Sequence, residues 1–259
     1  MVDLLISVIT YNESPKRLRE TLSAISSKKY SLKTLVVDNG SQDYSEVEAV
    51  CRELGVEFHH SSENLGFGGG HNLAFKKGSD GRYFLILNPD LTLSPESIDL
   101  ALDYLESHPD VGLLSPKIFN PDLSLQHLIK RNPTFFVLFC RIFLPKRFLT
   151  LPVVRAQIDR YEMKDVNPET TQELEFASGC CMFVRSEVFK KVKGFDDRYF
   201  LYFEDADLTR SVNLVSKTVY YPPVTAVHEW RRANQKKWKY RFVAINSAMK
   251  YFLKWGFRF

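Results

Sequence analysis

The sequence predicts an α/β fold, a mostly parallel central sheet flanked by helices and followed by a C-terminal amphipathic helix. Three observations lead there. Short apolar, β-branched runs alternate with amphipathic stretches through the first 118 residues, the pattern of βαβ units. Polar and glycine-rich clusters follow those runs, where strands of such a sheet would end. Hydrophobic residues make up 44% and charged residues 25% of 259 residues, a globular balance that excludes a disordered, collagenous or polytopic membrane protein.

Each element has a local reason. Leu4–Thr10 (LLISVIT) has the composition of a buried parallel strand. Residues 17–26 carry Leu18, Leu22 and Ile25 at helical spacing, and Pro15 suits a first turn. Strands are expected at 34–38 (TLVVD), 56–60 and Tyr83–Leu87 (YFLIL), with a helix at 44–54 and another after the glycines, ending near 77. Ser94 is the expected N-cap, and Pro95 the first residue, of a helix reaching Glu106. Another strand follows at 111–115. Residues 119–175 lose clean periodicity and are expected to form an insertion with a short amphipathic helix at 135–148. A strand at 176–185, a helix at 186–192, a strand at 219–227 broken by Pro222-Pro223, and a helix at Trp238–Trp255 complete the chain. We expect one domain over residues 1–259.

The net charge of +4 is unevenly spread. Residues 228–259 hold nine Lys/Arg against Glu229 alone, and 130–160 hold seven against Asp159. Basic segments rich in aromatics predict an anionic membrane surface as partner. Cys51, Cys140, Cys180 and Cys181 form no CxxC pair, so a zinc site or disulfide framework is not expected and a reducing cytosol fits. The first residues are too short and acidic for a signal peptide. The longest apolar stretch, 135–144, falls short of the ~20 residues that span a bilayer.

Polar residues gather at the expected strand ends: Thr10-Tyr11-Asn12, Asp38-Asn39-Gly40-Ser41 and Asn88-Pro89-Asp90. The glycine-rich segment NLGFGGGHN at 64–72 has His71 where GxGxxG needs its last glycine, and no GK[ST] follows. A hydride-transfer enzyme and a P-loop NTPase are therefore disfavoured. In order and spacing, VITYN at 8–12, VVDNGSQD at 36–43, NLGFGGGHN, LNPD at 87–90, FASGCCMFVRSEVF at 176–189, GFDDRYFLYFEDADLTRS at 194–211 and His228 form a more specific set. It resembles the family 2 glycosyltransferases, whose Rossmann-like fold is termed GT-A, and most closely their bacterial rhamnosyltransferase branch. The resemblance covers residues 4–118 and 174–255.

That resemblance implies an inverting, metal-dependent transferase. Thr10, Tyr11 and Asn12 would line the base and ribose of a nucleotide-sugar donor. Asp38 would accept from a pyrimidine N3–H, which favours a dTDP- or UDP-sugar. Gly68 would allow close approach of the backbone, with His71 and Asn72 as polar contacts. Asn88-Pro89-Asp90 replaces a DXD-type motif, leaving Asp90, with His228, to hold Mn²⁺ or Mg²⁺. Asp205 would be the general base and Glu204 its neighbour in the acceptor pocket. Asp207 and Arg210 are expected to pair along their helix. The implied donor is dTDP-rhamnose, and the implied acceptor a lipid-linked saccharide at the cytoplasmic face of the cell membrane, in cell-surface polysaccharide synthesis. A UDP-hexose or UDP-N-acetylhexosamine enzyme and a non-catalytic nucleotide-sugar binding module are the alternatives. Nucleic acid is not an expected partner, because carboxylates at the strand ends repel phosphate. The oligomeric state is left open.

Overall fold

A computed structural model describes residues 2–78, 81–229 and 238–257. The N-terminal half alternates strand and helix: β1 (Leu4–Thr10), α1 (Pro15–Ser23), β2 (Leu32–Asp38), α2 (Ser45–Glu53), β3 (Glu57–His60), α3 (Gly66–Lys77) and β4 (Tyr83–Leu87). These strands are parallel in the order β3-β2-β1-β4. Leu4, Leu5, Ile6 and Val8 of β1 are fully buried, as are all of 84–87 in β4, because helices cover both faces. The register places Thr10 beside Asp38 and Asp38 beside His60, so three strands deliver polar side chains to one edge.

Beyond β4 the sheet is mixed. β5 (Leu91–Leu93), α4 (Ser97–Ser107) and β6 (Val111–Phe119) lead into the insertion, which holds α5 (Phe135–Phe143), a 3₁₀ turn (Lys146–Phe148), α6 (Pro152–Tyr161) and β7 (Gln172–Glu173). β8 (Cys181–Arg185), α7 (Ser186–Lys191), α8 (Glu204–Val212), β9 (Lys217–His228) and α9 (Trp238–Trp255) follow. β8 runs antiparallel between β4 and β6, β6 is parallel to β9, and β5 and β7 are antiparallel to β9. The parallel character is thus confined to the first half and the β6–β9 pair.

Three local expectations are corrected. α4 begins at Ser97, after Glu96 at φ +66°, and Ser94 does not cap it. The Ser94 N–H donates to the Thr225 carbonyl (3.0 Å) and the Thr225 hydroxyl donates to Ser94 (2.7 Å), so attachment to β9 holds Ser94 out of the helix. α5 stops at Phe143, close to Pro145 as proline chemistry requires, and its N-cap is Thr134, whose hydroxyl accepts from the Val137 N–H (3.3 Å). Residues 176–180 are irregular, and the strand begins only at Cys181.

The apolar interior forms two main clusters. One joins the sheet to α1, α2 and α4, and the other joins it to α7, α8 and the insertion. A third packs Val137 and Leu138 of α5, Tyr161, Phe176, Tyr199 and Ala206 of α8 against Ala248, Tyr251 and Phe252 of α9. It ties the C-terminal helix and the insertion to the helix carrying Glu204 and Asp205. The stripe expected on α9 is divided: Phe252 is buried, whereas Phe242, Met249 and Leu253 face outward. The basic residues Arg231, Arg232, Lys236 and Lys237, and the chain end at 258–259, lie outside the described residues. Among the described residues no helix is long and apolar enough to cross a membrane.

Candidate active site

Asp38 is fully buried at the end of β2. Its Oδ1 accepts from the Thr10 (3.1 Å) and Ser41 (2.6 Å) hydroxyls, and its Oδ2 from the Ser41 N–H (2.9 Å). His60 Nδ1 lies 3.0 Å from Oδ2, and the His60 ring stacks on Tyr44 with centroids 3.9 Å apart. The four contacts use the lone pairs of both oxygens. His60 is the only one of these partners that is not a β1 or loop hydroxyl or amide, and its side chain is 29% exposed. A base that reaches Asp38 must therefore take the place of His60. Tyr11 is 52% exposed beside this edge. Asn12 adopts a left-handed backbone (φ +50°), its N–H donating to the Ser41 hydroxyl (2.8 Å). His60 was visible in the sequence only as the end of a short strand.

The glycine segment is not a loop. Gly68, Gly69 and Gly70 lie inside α3. A Cβ on Gly68 would fall 2.7 Å from Phe195 Cβ, and one on Gly70 would fall 3.0 Å from Ile9. These glycines let α3 press against β1 and the 194–197 segment, which corrects the expectation that Gly68 admits the donor. His71 is corrected as well. It is fully buried, with Nδ1 2.7 Å from the Ser7 hydroxyl and its ring between Phe67 and Phe195. Burial pushes its pKa down to about 3, so it is a neutral packing residue. Asn72 spends its amide on the chain: its oxygen accepts from the Phe195 N–H (2.9 Å), and its nitrogen donates to the Phe195 carbonyl and Asp197 (2.8 Å each).

The other half of the site forms where β4 and β9 end. The Asn88 N–H donates to the Cys180 carbonyl (2.9 Å). β5 pairs with β9 so that Leu91 faces His228, which brings Asp90 to that histidine. Asp90 Oδ1 and His228 Nε2 lie 3.2 Å apart, both buried and both without a hydrogen-bond partner. A buried polar atom left unpaired costs about 1–3 kcal/mol. One carboxylate oxygen and one imidazole nitrogen, orphaned and facing each other, fit a divalent cation such as Mn²⁺ or Mg²⁺. Among the described residues no group of three or more His, Cys, Asp or Glu converges, so the described residues offer two such donors here.

The two candidate catalytic carboxylates, Glu204 and Asp205, open α8. Tyr202 and Phe203 precede them at φ +69° and +68°, left-handed conformations that cost non-glycine residues energy and turn the chain sharply into the helix. Asp205 Oδ2 accepts from the Gly179 N–H (3.0 Å) and Oδ1 from the Ala206 N–H (2.9 Å). Glu204 is buried, and its Oε2 has no partner. Burial, and then the neighbouring Asp205, push the Glu204 carboxyl well above the usual range. Burial raises Asp205 too, opposed by the Lys130 ammonium and backbone N–H groups. Both carboxyls are thus pushed above the usual range, and Asp205 is the one whose shift the Lys130 ammonium opposes.

Lys130 comes from the insertion, where no periodicity marked it. Its N–H donates to the Phe176 carbonyl (3.0 Å), and its ammonium lies 5.0 Å above the Phe176 ring and 5.9 Å above Tyr161. The Cys180 thiol feels both Asp90 and Asp205, and burial pushes it up to about 12, so it is inert. The segment Gly179-Cys180 joins the two halves, since the Gly179 N–H holds Asp205 and the Cys180 carbonyl accepts from Asn88. The expected Asp207–Arg210 pair does not form. Asp207 is buried, accepting from Trp255 Nε1 (2.7 Å) and Lys254 Nζ (2.8 Å), while Arg210 lies over the Trp255 ring.

A half-parallel sheet with an acid–imidazole pair at one strand end and a carboxylate pair opening the adjoining helix is the arrangement expected of a glycosyltransferase of GT-A architecture. Residues 5–193 match the family model described as Glycosyl transferase family 2; the chain belongs to that family and is a glycosyltransferase. It is 30% identical over 240 residues to N-acetylglucosaminyl-diphospho-decaprenol L-rhamnosyltransferase of Mycobacterium tuberculosis, covering 88% of this chain and 76% of that one. Rhamnosyltransferase WbbL of Escherichia coli strain K12 is 25% identical over 271 residues, covering 100% of this chain and 92% of that protein. The mannosyltransferase PcManGT of Pyrobaculum calidifontis, solved with GDP-Man and Mn²⁺, superposes with a TM-score of 0.61 at 19% identity. That match covers 93% of this chain and 61% of the solved one, and it supports the fold.

Proposed function

We propose that the protein transfers L-rhamnose from dTDP-rhamnose, with inversion, onto a saccharide carried on a lipid diphosphate. The mechanism rests on one observation above all: Asp205 is fixed by the Gly179 N–H near the Lys130 charge, in the segment whose next residue, Cys180, is bonded to Asn88 beside Asp90. The sugar and acceptor rest on the two rhamnosyltransferase relatives. The acceptor hydroxyl gives its proton to the Asp205 carboxylate as its oxygen bonds to the anomeric carbon. The bond from that carbon to the donor phosphate breaks, and the nucleoside diphosphate leaves from the opposite face. Glu204, whose carboxyl burial and Asp205 push upward, donates a hydrogen bond to the acceptor in its protonated form. Asp90 and His228 would hold Mn²⁺ or Mg²⁺, which supplies positive charge for the departing diphosphate. Thr10, Tyr11, Asn12, Asp38 and Asn88 edge the donor side.

The same reading assigns a membrane face. Phe135, Phe139 and Phe143 form a ridge along α5, with ring centroids 6.3 and 5.4 Å apart, and Phe257 lies 6.1 Å from Phe135. Phe143 is 58% and Leu253 of α9 74% exposed. Aromatics at headgroup depth beside basic segments suit peripheral binding to an anionic leaflet, on the side where a lipid-linked acceptor would arrive.

The test is a transfer assay on a short-chain GlcNAc-diphospho-lipid, with dTDP-rhamnose, UDP-glucose and UDP-N-acetylglucosamine as competing donors. Transfer of rhamnose with inverted anomeric configuration, abolished by Asp205→Asn, is expected. Preference for a UDP-sugar overturns the donor assignment, full activity in D205N overturns the base, and binding without transfer from any donor supports a binding module instead.

A further inference from the structure

Gln126 lies in the aperiodic insertion, remote in sequence from every motif that marks the site. It is buried, and its backbone is fixed: its N–H donates to the Ile118 carbonyl (2.9 Å), and its carbonyl accepts from the Leu128 N–H (2.9 Å). Its side chain meets His228 twice. Gln126 Nε2 donates to the His228 carbonyl (2.8 Å), and Gln126 Oε1 lies 3.1 Å from His228 Nδ1.

The chemistry of these four atoms admits one arrangement. A carbonyl oxygen only accepts, so the amide nitrogen must face it. The amide oxygen is then left facing Nδ1, and because that oxygen also only accepts, Nδ1 must carry the proton. In a neutral imidazole, Nε2 is then a bare lone pair. That lone pair points at Asp90 Oδ1, 3.2 Å away, a second acceptor without a partner. The acid–imidazole pair is thereby set up as two lone pairs converging on one point, the arrangement a cation requires.

We propose that Gln126 is a positioning residue that locks His228 in the Nδ1–H tautomer and so presents Nε2 to a divalent cation shared with Asp90. The proposal rests on the metal reading given above. It adds that the insertion, outside the motif-bearing segments, decides whether His228 is ready to bind. Partners of this kind that orient a ligating histidine typically change metal affinity by ~10–100-fold when removed.

Two readouts test it separately. Long-range ¹⁵N–¹H NMR of ¹⁵N-histidine-labelled protein reports which ring nitrogen of His228 is protonated, with His228→Ala identifying its signals. EPR titration reports Mn²⁺ affinity in the presence of dTDP. Wild type should show Nδ1–H at His228. Gln126→Leu should lose that tautomer and weaken Mn²⁺ binding by at least tenfold, whereas Gln126→Glu, which keeps an acceptor toward Nδ1, should retain the tautomer. An Nε2–H signal in the wild type overturns the role of Gln126, as does an unchanged tautomer with unchanged Mn²⁺ affinity in Q126L. The expected tautomer with no Mn²⁺ binding in the wild type overturns the metal reading, and with it the purpose assigned to Gln126.

Discussion

Asp207→Ala removes the carboxylate that fastens α9 to α8. Asp207 is 3% exposed and accepts from Trp255 Nε1 at 2.7 Å and Lys254 Nζ at 2.8 Å. A hydrogen bond to a charged group contributes roughly 1.5–3 kcal/mol, and a lost partner strands Trp255 Nε1. The Lys254 contribution is smaller, at most about 1 kcal/mol, because its side chain is 28% exposed and keeps Asp196 at 3.1 Å. The expected loss is about 2–3 kcal/mol, or roughly 5–10 °C in Tm for a chain of this size. Asp207→Asn keeps an acceptor for Trp255 and should cost about 1 kcal/mol. Amide exchange followed by mass spectrometry should show faster exchange over residues 247–257 in D207A, and slower transfer to a vesicle-embedded acceptor. Transfer to a short water-soluble acceptor should persist, since Asp205 is held independently by Gly179. Wild-type melting together with wild-type exchange in α9 would refute the reasoning.

Further expectations follow from the same geometry. Lys130→Met removes the ammonium that favours ionised Asp205, whose surroundings otherwise comprise Glu204, Cys180, Tyr161 and backbone N–H groups. The Asp205 pKa then rises, so the acid limb of kcat/KM moves to higher pH while the alkaline plateau is kept; Lys130→Arg should restore the limb, and an unmoved limb in K130M would break the link. Asp90→Ala should abolish the metal dependence of dTDP binding, seen as equal affinity with and without EDTA. Gly68→Ala sets a Cβ 2.7 Å from Phe195 Cβ, and overpacking of about 1–3 kcal/mol outweighs the gain in helix propensity, so Tm should fall. Phe139→Glu with Phe143→Glu should reduce co-sedimentation with anionic vesicles while leaving the short-acceptor rate intact.

The fold was legible where local chemistry decides structure. LLISVIT and YFLIL are buried on both faces, and Pro15 opens its helix as its missing N–H allows. Boundaries failed where distant partners win: Thr225 draws Ser94 out of its cap, and packing against Phe195 and Ile9 turns the glycine run into helix. Motif spacing named Asp38, Asp90, Asp205 and His228 as candidates, and strand ends and a helix start decide where the fold puts them. It misplaced His71, which is fully buried, since a polar residue beside a binding motif looks the same in sequence whether it faces a ligand or the core. Gln126, Lys130 and His60 escaped for a different reason. The first two make contacts 102 residues away and with the 176–205 region, from a segment without periodicity, and His60 meets Asp38 across a strand register that only the folded sheet reveals.

Calorimetric titration with dTDP, UDP, GDP and NAD, each with and without Mn²⁺, tests the central claim most directly. The account predicts that dTDP binds, that Mn²⁺ strengthens it, that UDP follows more weakly, and that GDP and NAD do not compete. Binding of none of these nucleotides, or of NAD without metal, would contradict it: the acids at the strand ends would then serve the fold alone.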